Sequence, residues 1–322
     1  MKAISRVLVI KLGAIGEFVL SLPAMRRIRE AHPQAEIALL TTTRFEQLAR
    51  SSRYFNAVFA DGEPDGVSGA MALVGWMRRC KFDRIYDLEN SARTHLYFQA
   101  LRPSPPQWSG TASGCALPHL NPYRSRMHVL ERQADQLQHA GIWPDAPVEA
   151  GAAPPPDLSW ITRRAPEPRL ASGASKPRPF ALMAPGGTSK AERLWPIDRY
   201  ADLAGQLDRH GLDVVVIGGP EESAYARAIQ RVARHARDLT GRTDFAQIAL
   251  LGARASLAVG NDSGATHLMA AAGAPTIALF SHASEPDLAG PRGYVAILRS
   301  GNLKDLPVQQ VAETAQVMIR SA

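Results

Sequence analysis

The sequence predicts an α/β protein of two doubly wound domains, each a parallel sheet covered by helices. Three observations lead there. The chain has 322 residues, roughly twice a domain length of about 150. Each half alternates short, nearly continuous apolar runs with amphipathic helical stretches, the pattern of strands buried on both faces. Between the halves, residues 144–180 hold 9 of the 24 prolines, including Pro154-Pro155-Pro156. Proline fixes φ and removes a backbone donor, so this stretch reads as a linker. The expected division is an N-terminal domain over 1–150, a linker over 151–178 and a C-terminal domain over 179–322.

In the first half the strand candidates are Val7–Ile10, Ile37–Leu40, Ala57–Phe59 and Arg84–Leu88. In the second they are Phe180–Ala184, Val214–Ile217, Ser256–Val259 and Thr276–Phe280. Helices are expected between them: Phe18, Leu22, Met25 and Arg29 form one turn-spaced row, and 198–210 and 221–235 are amphipathic. A short helical piece is expected near Leu158–Ile161 in the linker. Ligands of such sheets bind beyond the carboxyl ends of the strands, which places them in an interdomain cleft.

Composition narrows the class. Hydrophobic residues make up 45% and charged residues 21%, as in globular proteins and unlike disordered chains or coiled coils. Apolar runs such as Ala255–Val259 fall far short of the ~20 residues a membrane-spanning helix needs. The start, Met1–Arg6, has no signal-peptide apolar core, so a cytoplasmic protein is expected. Cys80 and Cys115 can form neither a disulfide framework nor a four-ligand zinc site, and no local histidine spacing suggests a metal. The net charge of +7 is uneven. Residues 1–143 carry 18 Lys/Arg against 12 Asp/Glu, whereas 181–322 carry 14 of each. Such an excess either meets an anionic partner or serves solubility.

Three segments carry chemistry. Lys11-Leu12-Gly13-Ala14-Ile15-Gly16-Glu17 follows the first strand, and its spaced glycines permit a tight turn with close ligand approach. It lacks the dinucleotide fingerprint. Glu17 is either a base for a substrate hydroxyl or a complement to the helix dipole. Pro185-Gly186-Gly187-Thr188-Ser189-Lys190-Ala191-Glu192-Arg193-Leu194-Trp195-Pro196 offers backbone N–H groups and two cations, which suits a diphosphate. It lacks the Gly-Lys-Ser/Thr end of a P-loop, and Trp195 is expected to pack structurally. Gly260-Asn261-Asp262-Ser263-Gly264-Ala265-Thr266-His267-Leu268 is either a helix cap and turn or a second anion site. Between these lies Gly218-Gly219-Pro220-Glu221, where a carboxylate could hold a ribose diol. The chain has no Asp-x-Asp pair, no His-Glu-x-x-His and no Gly-x-Ser-x-Gly; Asp61-Gly62-Glu63 and Asp87-Leu88-Glu89 are weak substitutes for a metal–diphosphate pair.

Taken in order, Lys11–Pro23, Pro185–Pro196, Gly218–Glu221 and Asn261–Leu268 closely resemble glycosyltransferase family 9, which includes the ADP-heptose:lipopolysaccharide heptosyltransferases. The resemblance spans nearly the whole chain, and its Asp-Ser/Thr-Gly-x-x-His element is the most specific part. It implies a GT-B fold, with acceptor bound by the N-terminal domain and nucleotide-sugar by the C-terminal one. It also implies inverting transfer without metal or other cofactor. Glu17 stands where the family usually has an aspartate base, and Arg193 where it usually has lysine. The roles implied are a base for Glu17 and diphosphate stabilisation for Arg193, Lys190, Thr188 and Ser189. Glu221 falls to the ribose, Arg242 to the nucleobase border, and Asp262 either to the sugar hydroxyls or to the helix cap. Lys11, Gly13, Gly16, Gly187, Ser263, Gly264 and His267 complete the implied binding set. The implied partners are a nucleotide-sugar, ADP-heptose first among them, and a phosphorylated glycolipid at the inner face of an anionic membrane, not nucleic acid. The rival reading is a nucleotide-sugar-binding protein of the same fold that has lost catalysis.

Overall fold

The computed structural model describes residues 4–144, 149, 151–163, 178–187 and 193–321. Thr188, Ser189 and Lys190 therefore lie outside the described residues, as does 164–177 of the expected linker. The chain divides into two compact units, Met1–Pro155 and Pro156–Ala322.

In the first unit six strands form one parallel sheet: β1 (Arg6–Ile10), β2 (Glu36–Leu40), β3 (Ala57–Phe59), β4 (Arg84–Asp87), β5 (Gln107–Gly110) and β6 (Leu117–Pro118), in the order β3-β2-β1-β4-β5-β6. The helices are α1 (Ile15–Leu20), α2 (Leu22–Ala31), α3 (Glu46–Ser52), α4 (Gly66–Cys80), α5 (Ala92–Ala100) and α6 (Val129–His139). Val7, Leu8, Val9 and Ile10 are each 0% exposed, so the central strand is covered on both faces, as its unbroken apolar run demands. One core cluster joins Leu8, Ile10, Leu40, Ile85 and Trp108 to Leu73, Met77 and Phe98 of the helices.

The second unit repeats the plan with β7 (Phe180–Ala184), β8 (Asp213–Val216), β9 (Arg237–Asp238), β10 (Leu257–Asn261), β11 (Thr276–Ser281) and β12 (Val295–Ser300), in the order β12-β11-β10-β7-β8-β9. Its helices are α7 (Ile197–Arg209), α8 (Ser223–Val232), α9 (Phe245–Gly252), α10 (Gly264–Ala271), α11 (Pro286–Ala289) and α12 (Val308–Ser321). Both sheets thus have the doubly wound 3-2-1-4-5-6 order counted within each unit. In that topology strand order reverses between the first and fourth strands, and ligands bind at the carboxyl ends of that pair. Here the pairs are β1 with β4 and β7 with β10.

Three details differ from the sequence expectation. The row Phe18, Leu22, Met25 is one buried face, but two helices share it: α1 ends at Leu20, and α2 begins after Ser21 with Pro23 in its first turn. Proline has no N–H to continue the ladder, and Ser21 Oγ caps Glu17 O at 2.7 Å instead. The linker's helical piece is a 3₁₀ turn over Ser159–Arg163. Strands β5, β6, β9 and β12 are not among the sequence candidates: β5, β6 and β9 carry no long apolar run, and β12, with the run Val295–Leu298, is a partly exposed edge strand where burial on both faces is not required.

Candidate functional site

The switch point of the first unit holds an ion triad built on a buried lysine. Lys11 follows β1 and is only 2% exposed. Its Nζ donates to Glu17 Oε2 at 2.9 Å and to Glu89 Oε2 at 2.8 Å. The same Glu89 oxygen accepts from Leu12 N and Gly13 N, each at 3.0 Å. Glu89 is placed by the turn that ends β4. Asp87 Oδ1 accepts from Glu89 N at 3.1 Å and from Asn90 N at 2.9 Å. Asn90 takes φ +52°, a left-handed conformation that asparagine tolerates, and its side chain ties the turn to Gln136 and Thr111. Gly13 lies between the carboxylates: a Cβ there would stand 3.1 Å from Glu89 Oε1 and 3.3 Å from Glu17 Oε2. Gly16 and Glu17 occupy the first turn of α1.

Electrostatics divides these carboxyls. Burial opposes ionisation of Glu89, but the Lys11 charge and the three donors outweigh it and hold its carboxyl below the usual range. Asp87 is wholly buried, and burial pushes it up to about 6 despite its backbone donors. Sequence reasoning weighs Glu89 only as part of a weak metal–diphosphate pair, because what marks it out is pairing across β1 and β4, which local spacing does not show.

The second unit assembles three loops at its own switch point. Gly187, after β7, has φ +119°, and a Cβ on it would overlap the Ser263 side chain. Gly186 is as constrained on its other side, where a Cβ would overlap the Glu222 carboxylate. Both glycines are therefore required by close approach. Asn261, at the end of β10, is the tie between loops: it is fully buried, its Oδ1 accepts from Trp195 N at 3.2 Å and Tyr200 Oη at 3.1 Å, and its Nδ2 donates to Pro185 O. Trp195 is structural as expected, fully buried with Nε1 donating to Leu306 O at 3.0 Å. Asp262 accepts from Arg193 Nη2, and Arg193 Nε donates to Ser284 Oγ at 2.8 Å. The guanidinium is 26% exposed and its carboxylate partner 17%. Ser263 is the N-cap of α10, whose first residue is Gly264; His267 is buried one turn on.

The two glutamates that follow β8 are placed differently. Glu221 is exposed, whereas Glu222 is buried against Gly186 and Gly218. The 3₁₀ turn Pro220–Glu222 decides which of two adjacent glutamates turns inward. Burial, then Glu221, raises the Glu222 carboxyl, and its Oε2 has no hydrogen-bond partner among the described residues. Arg242 is exposed next to Gly241, whose N donates to Gly218 O at 2.8 Å, so it borders the same turn.

The fold also gathers one His-Asp-His group that local spacing conceals. Ligand atoms of His119, Asp135 and His139 lie within 4.8 Å of one another. They are joined by hydrogen bonds: His119 Nε2 meets Asp135 Oδ2 at 2.6 Å, and Asn121 Nδ2 donates to the same oxygen at 3.0 Å. A metal on His119 Nε2 would move the ring proton to Nδ1, which is buried with no acceptor among the described residues. The group reads as a hydrogen-bonded trio.

Comparison with known proteins agrees with this architecture. The family model described as glycosyltransferase family 9 (heptosyltransferase) matches residues 71–314. That stretch begins within α4, so the Lys11–Glu17 loop precedes it. Lipopolysaccharide heptosyltransferase 2 of Escherichia coli is 25% identical over 314 residues, covering 90% of this chain and 86% of that protein. Among solved structures, E. coli ADP-heptose lps heptosyltransferase II superposes with a TM-score of 0.76 at 22% identity, covering 98% of this chain and 99% of the other. E. coli heptosyltransferase WaaC with ADP gives 0.76 at 17% identity, covering 97% and 99%. These likenesses establish the fold as the GT-B class of two Rossmann-like units.

Gly187→Ala is expected to cost about 1–3 kcal/mol, because an L side chain is strained at this φ and must displace Ser263. Urea unfolding measures the loss; an unchanged midpoint would show that the turn relaxes freely. A family model that covers most of the chain, on a fold shared over its whole length, makes the chain a member of glycosyltransferase family 9 and a glycosyltransferase.

Proposed function

We propose that the enzyme moves heptose from ADP-heptose onto a phosphorylated lipopolysaccharide core acceptor, inverting the anomeric centre without a metal. The observation that carries this is the position of the two charged groups. Glu17 on Lys11 stands at the switch point of one sheet, and Arg193 on Asp262 at that of the other. The relatives' names, lipopolysaccharide heptosyltransferases and an ADP complex, supply the donor and acceptor class. Glu17 takes the proton of the acceptor hydroxyl as its oxygen attacks the anomeric carbon opposite the leaving group. The C–O bond to the diphosphate breaks, and Arg193 with Lys190 and the Thr188-Ser189 segment stabilises the departing ADP. Glu222, with Glu221 beside it, faces the ribose hydroxyls, and Arg242 borders the base. Asp262 keeps Arg193 extended toward the diphosphate. With no Asp-x-Asp pair in the sequence, cationic side chains carry the leaving-group charge.

Incubation with ADP-heptose and a heptose-deficient core acceptor is expected to release ADP and form one inverted linkage, unaffected by EDTA. ADP release without linkage, or a retained configuration, overturns the assignment. Glu17→Gln is expected to lower kcat by about 10²–10⁴-fold with donor affinity nearly intact; turnover like that of the unaltered enzyme would leave Glu17 as a helix-end charge only. Arg193→Ala is expected to weaken ADP binding by about 1.5–3 kcal/mol in calorimetry; an unchanged affinity shifts the role to Lys190.

Charge and surface support a peripheral place on the inner membrane face. No described helix is long and apolar enough to cross a membrane. The large exposed apolar side chains of the first unit are Val67, Met71, Leu96, Leu120 and Tyr123, and all lie in segments leaving the carboxyl ends of β3, β4 and β6. Exposed Arg44, Arg93 and Arg126 lie in segments leaving the same ends of that sheet. Each cation near an anionic surface contributes about 1 kcal/mol. Cosedimentation of the full chain with anionic vesicles is expected at low salt and lost at high salt, and Leu120→Asp with Tyr123→Asp should weaken it. Salt-independent binding, or none, removes the membrane assignment.

A further inference from the structure

The Lys11 triad leaves one carboxylate without a task in the transfer just described. Glu89 is 14% exposed and places three donors, Lys11 Nζ, Leu12 N and Gly13 N, on a single oxygen. Glu17 is 44% exposed and shares only the ammonium. The arrangement is asymmetric: one carboxylate is fixed and buried, and the other is open at one end. Were Lys11 to face Glu17 alone, its whole charge would bear on the base at 2.9 Å, stabilise the carboxylate and make it a poorer proton acceptor. With Glu89 at 2.8 Å on the other side, the ammonium is divided between two anions.

We propose that Glu89 is a positioning residue for the base: it neutralises Lys11 from behind, locks the Leu12-Gly13 amides, and so leaves Glu17 anchored yet basic toward the acceptor hydroxyl. The inference rests on Glu17 being that base. The groups that bear on the pair are Lys11 and, behind Glu89, the buried Asp87, which is in turn shaped by the Glu89 charge. The Asp87 Oδ1 bonds to Glu89 N and Asn90 N fix the backbone that delivers Glu89, so the device spans the carboxyl ends of both switch-point strands. Gly13 is part of it, because any Cβ there would press on both carboxylates.

The sign of the effect follows directly. Glu89→Gln removes one anion, and the lysine charge then stabilises the Glu17 carboxylate more strongly. The proton affinity of Glu17 falls, so the acid limb of kcat/KM moves to lower pH by about one unit. A weaker base also lowers the plateau kcat, by up to about 10-fold. Glu89→Asp restores the charge and should return the limb toward its original position, even where the shorter side chain costs rate. The same titration is read without turnover from the ¹³C chemical shift of the Glu17 carboxyl carbon, assigned by its loss in Glu17→Gln. Thermal unfolding of each variant reports whether the fold holds.

A lower-pH limb and a lower Glu17 carboxyl midpoint in Glu89→Gln, both reversed in Glu89→Asp, support the proposal. A limb and midpoint that stay in place while rate and melting temperature fall together overturn it, leaving Glu89 as a loop tie only. If the unaltered enzyme transfers nothing from ADP-heptose, the donor assignment fails, and the carboxyl titration still decides the role of Glu89. If transfer proceeds but Glu17→Gln is fully active, the base assignment fails and this inference falls with it.

Discussion

A lysine ammonium withdrawn from water at the end of a central strand is the constraint around which the first unit's site is organised. Lys11 is 2% exposed, and an isolated buried ammonium carries a penalty of several kcal/mol. It is tolerated because two carboxylates reach it, Glu17 from α1 and Glu89 from the β4 turn. Each has to be delivered by backbone that the rest of the unit holds. The Glu89 turn needs Asp87 as an internal acceptor, Asn90 in a left-handed conformation, and Gln136 of α6 as an anchor. The Glu17 helix needs to stop at Ser21, so that Pro23 can start α2 against the core. Removing either carboxylate leaves the lysine half-compensated, which is a larger loss than the single hydrogen bond suggests.

The second unit solves a different problem with different means. Its switch point is built from close backbone approach, with glycines where β7 ends and an asparagine as the central tie. Asn261 bonds Trp195, Tyr200 and the Pro185 carbonyl, so the β7 loop, the start of α7 and the end of β10 move as one. An amide serves here because it donates and accepts at once and carries no charge that burial would penalise. The charged pair, Arg193 with Asp262, is kept at the partly exposed mouth of this frame, where desolvation is incomplete. A guanidinium so held is pre-oriented: less side-chain freedom remains to be lost on binding an anion.

Much of this is legible in the sequence, and the illegible part has physical causes. The central strands β1, β2, β4, β7, β8, β10 and β11 read clearly, because strands covered on both faces are largely apolar, and buried exceptions such as Arg84 and Asp87 of β4 are hydrogen-bonded. The two-residue strands β6 and β9 and the partly exposed edge strand β12 carry no such requirement. The glycine turns at Gly13 and Gly187 announce themselves, since each follows directly on an apolar strand. Residues defined by pairing across elements do not: Glu89 matters because β1 lies beside β4, and Ser284 because Arg193 reaches the segment after β11. Glu221 and Glu222 are indistinguishable until the turn phase is known. The His119-Asp135-His139 group spans β6 to α6 and has no local signature beyond the i, i+4 pair on one helix face.

The two switch points also differ in what they can adjust. A turn built from backbone amides has no titratable group and presents the same face at any pH. A triad of one ammonium and two carboxylates is tunable, because the proton affinity of its exposed member depends on how the other two share charge. A glutamate at position 17 has one methylene more reach than an aspartate would have there. The Glu17 carboxylate still meets Lys11 at 2.9 Å, so the longer side chain is accommodated by anchoring it on the same buried cation. The longer side chain therefore alters where the carboxylate stands more than what holds it. The residue that limits its position is then Gly13, whose missing side chain leaves the space between Glu17 and Glu89 open.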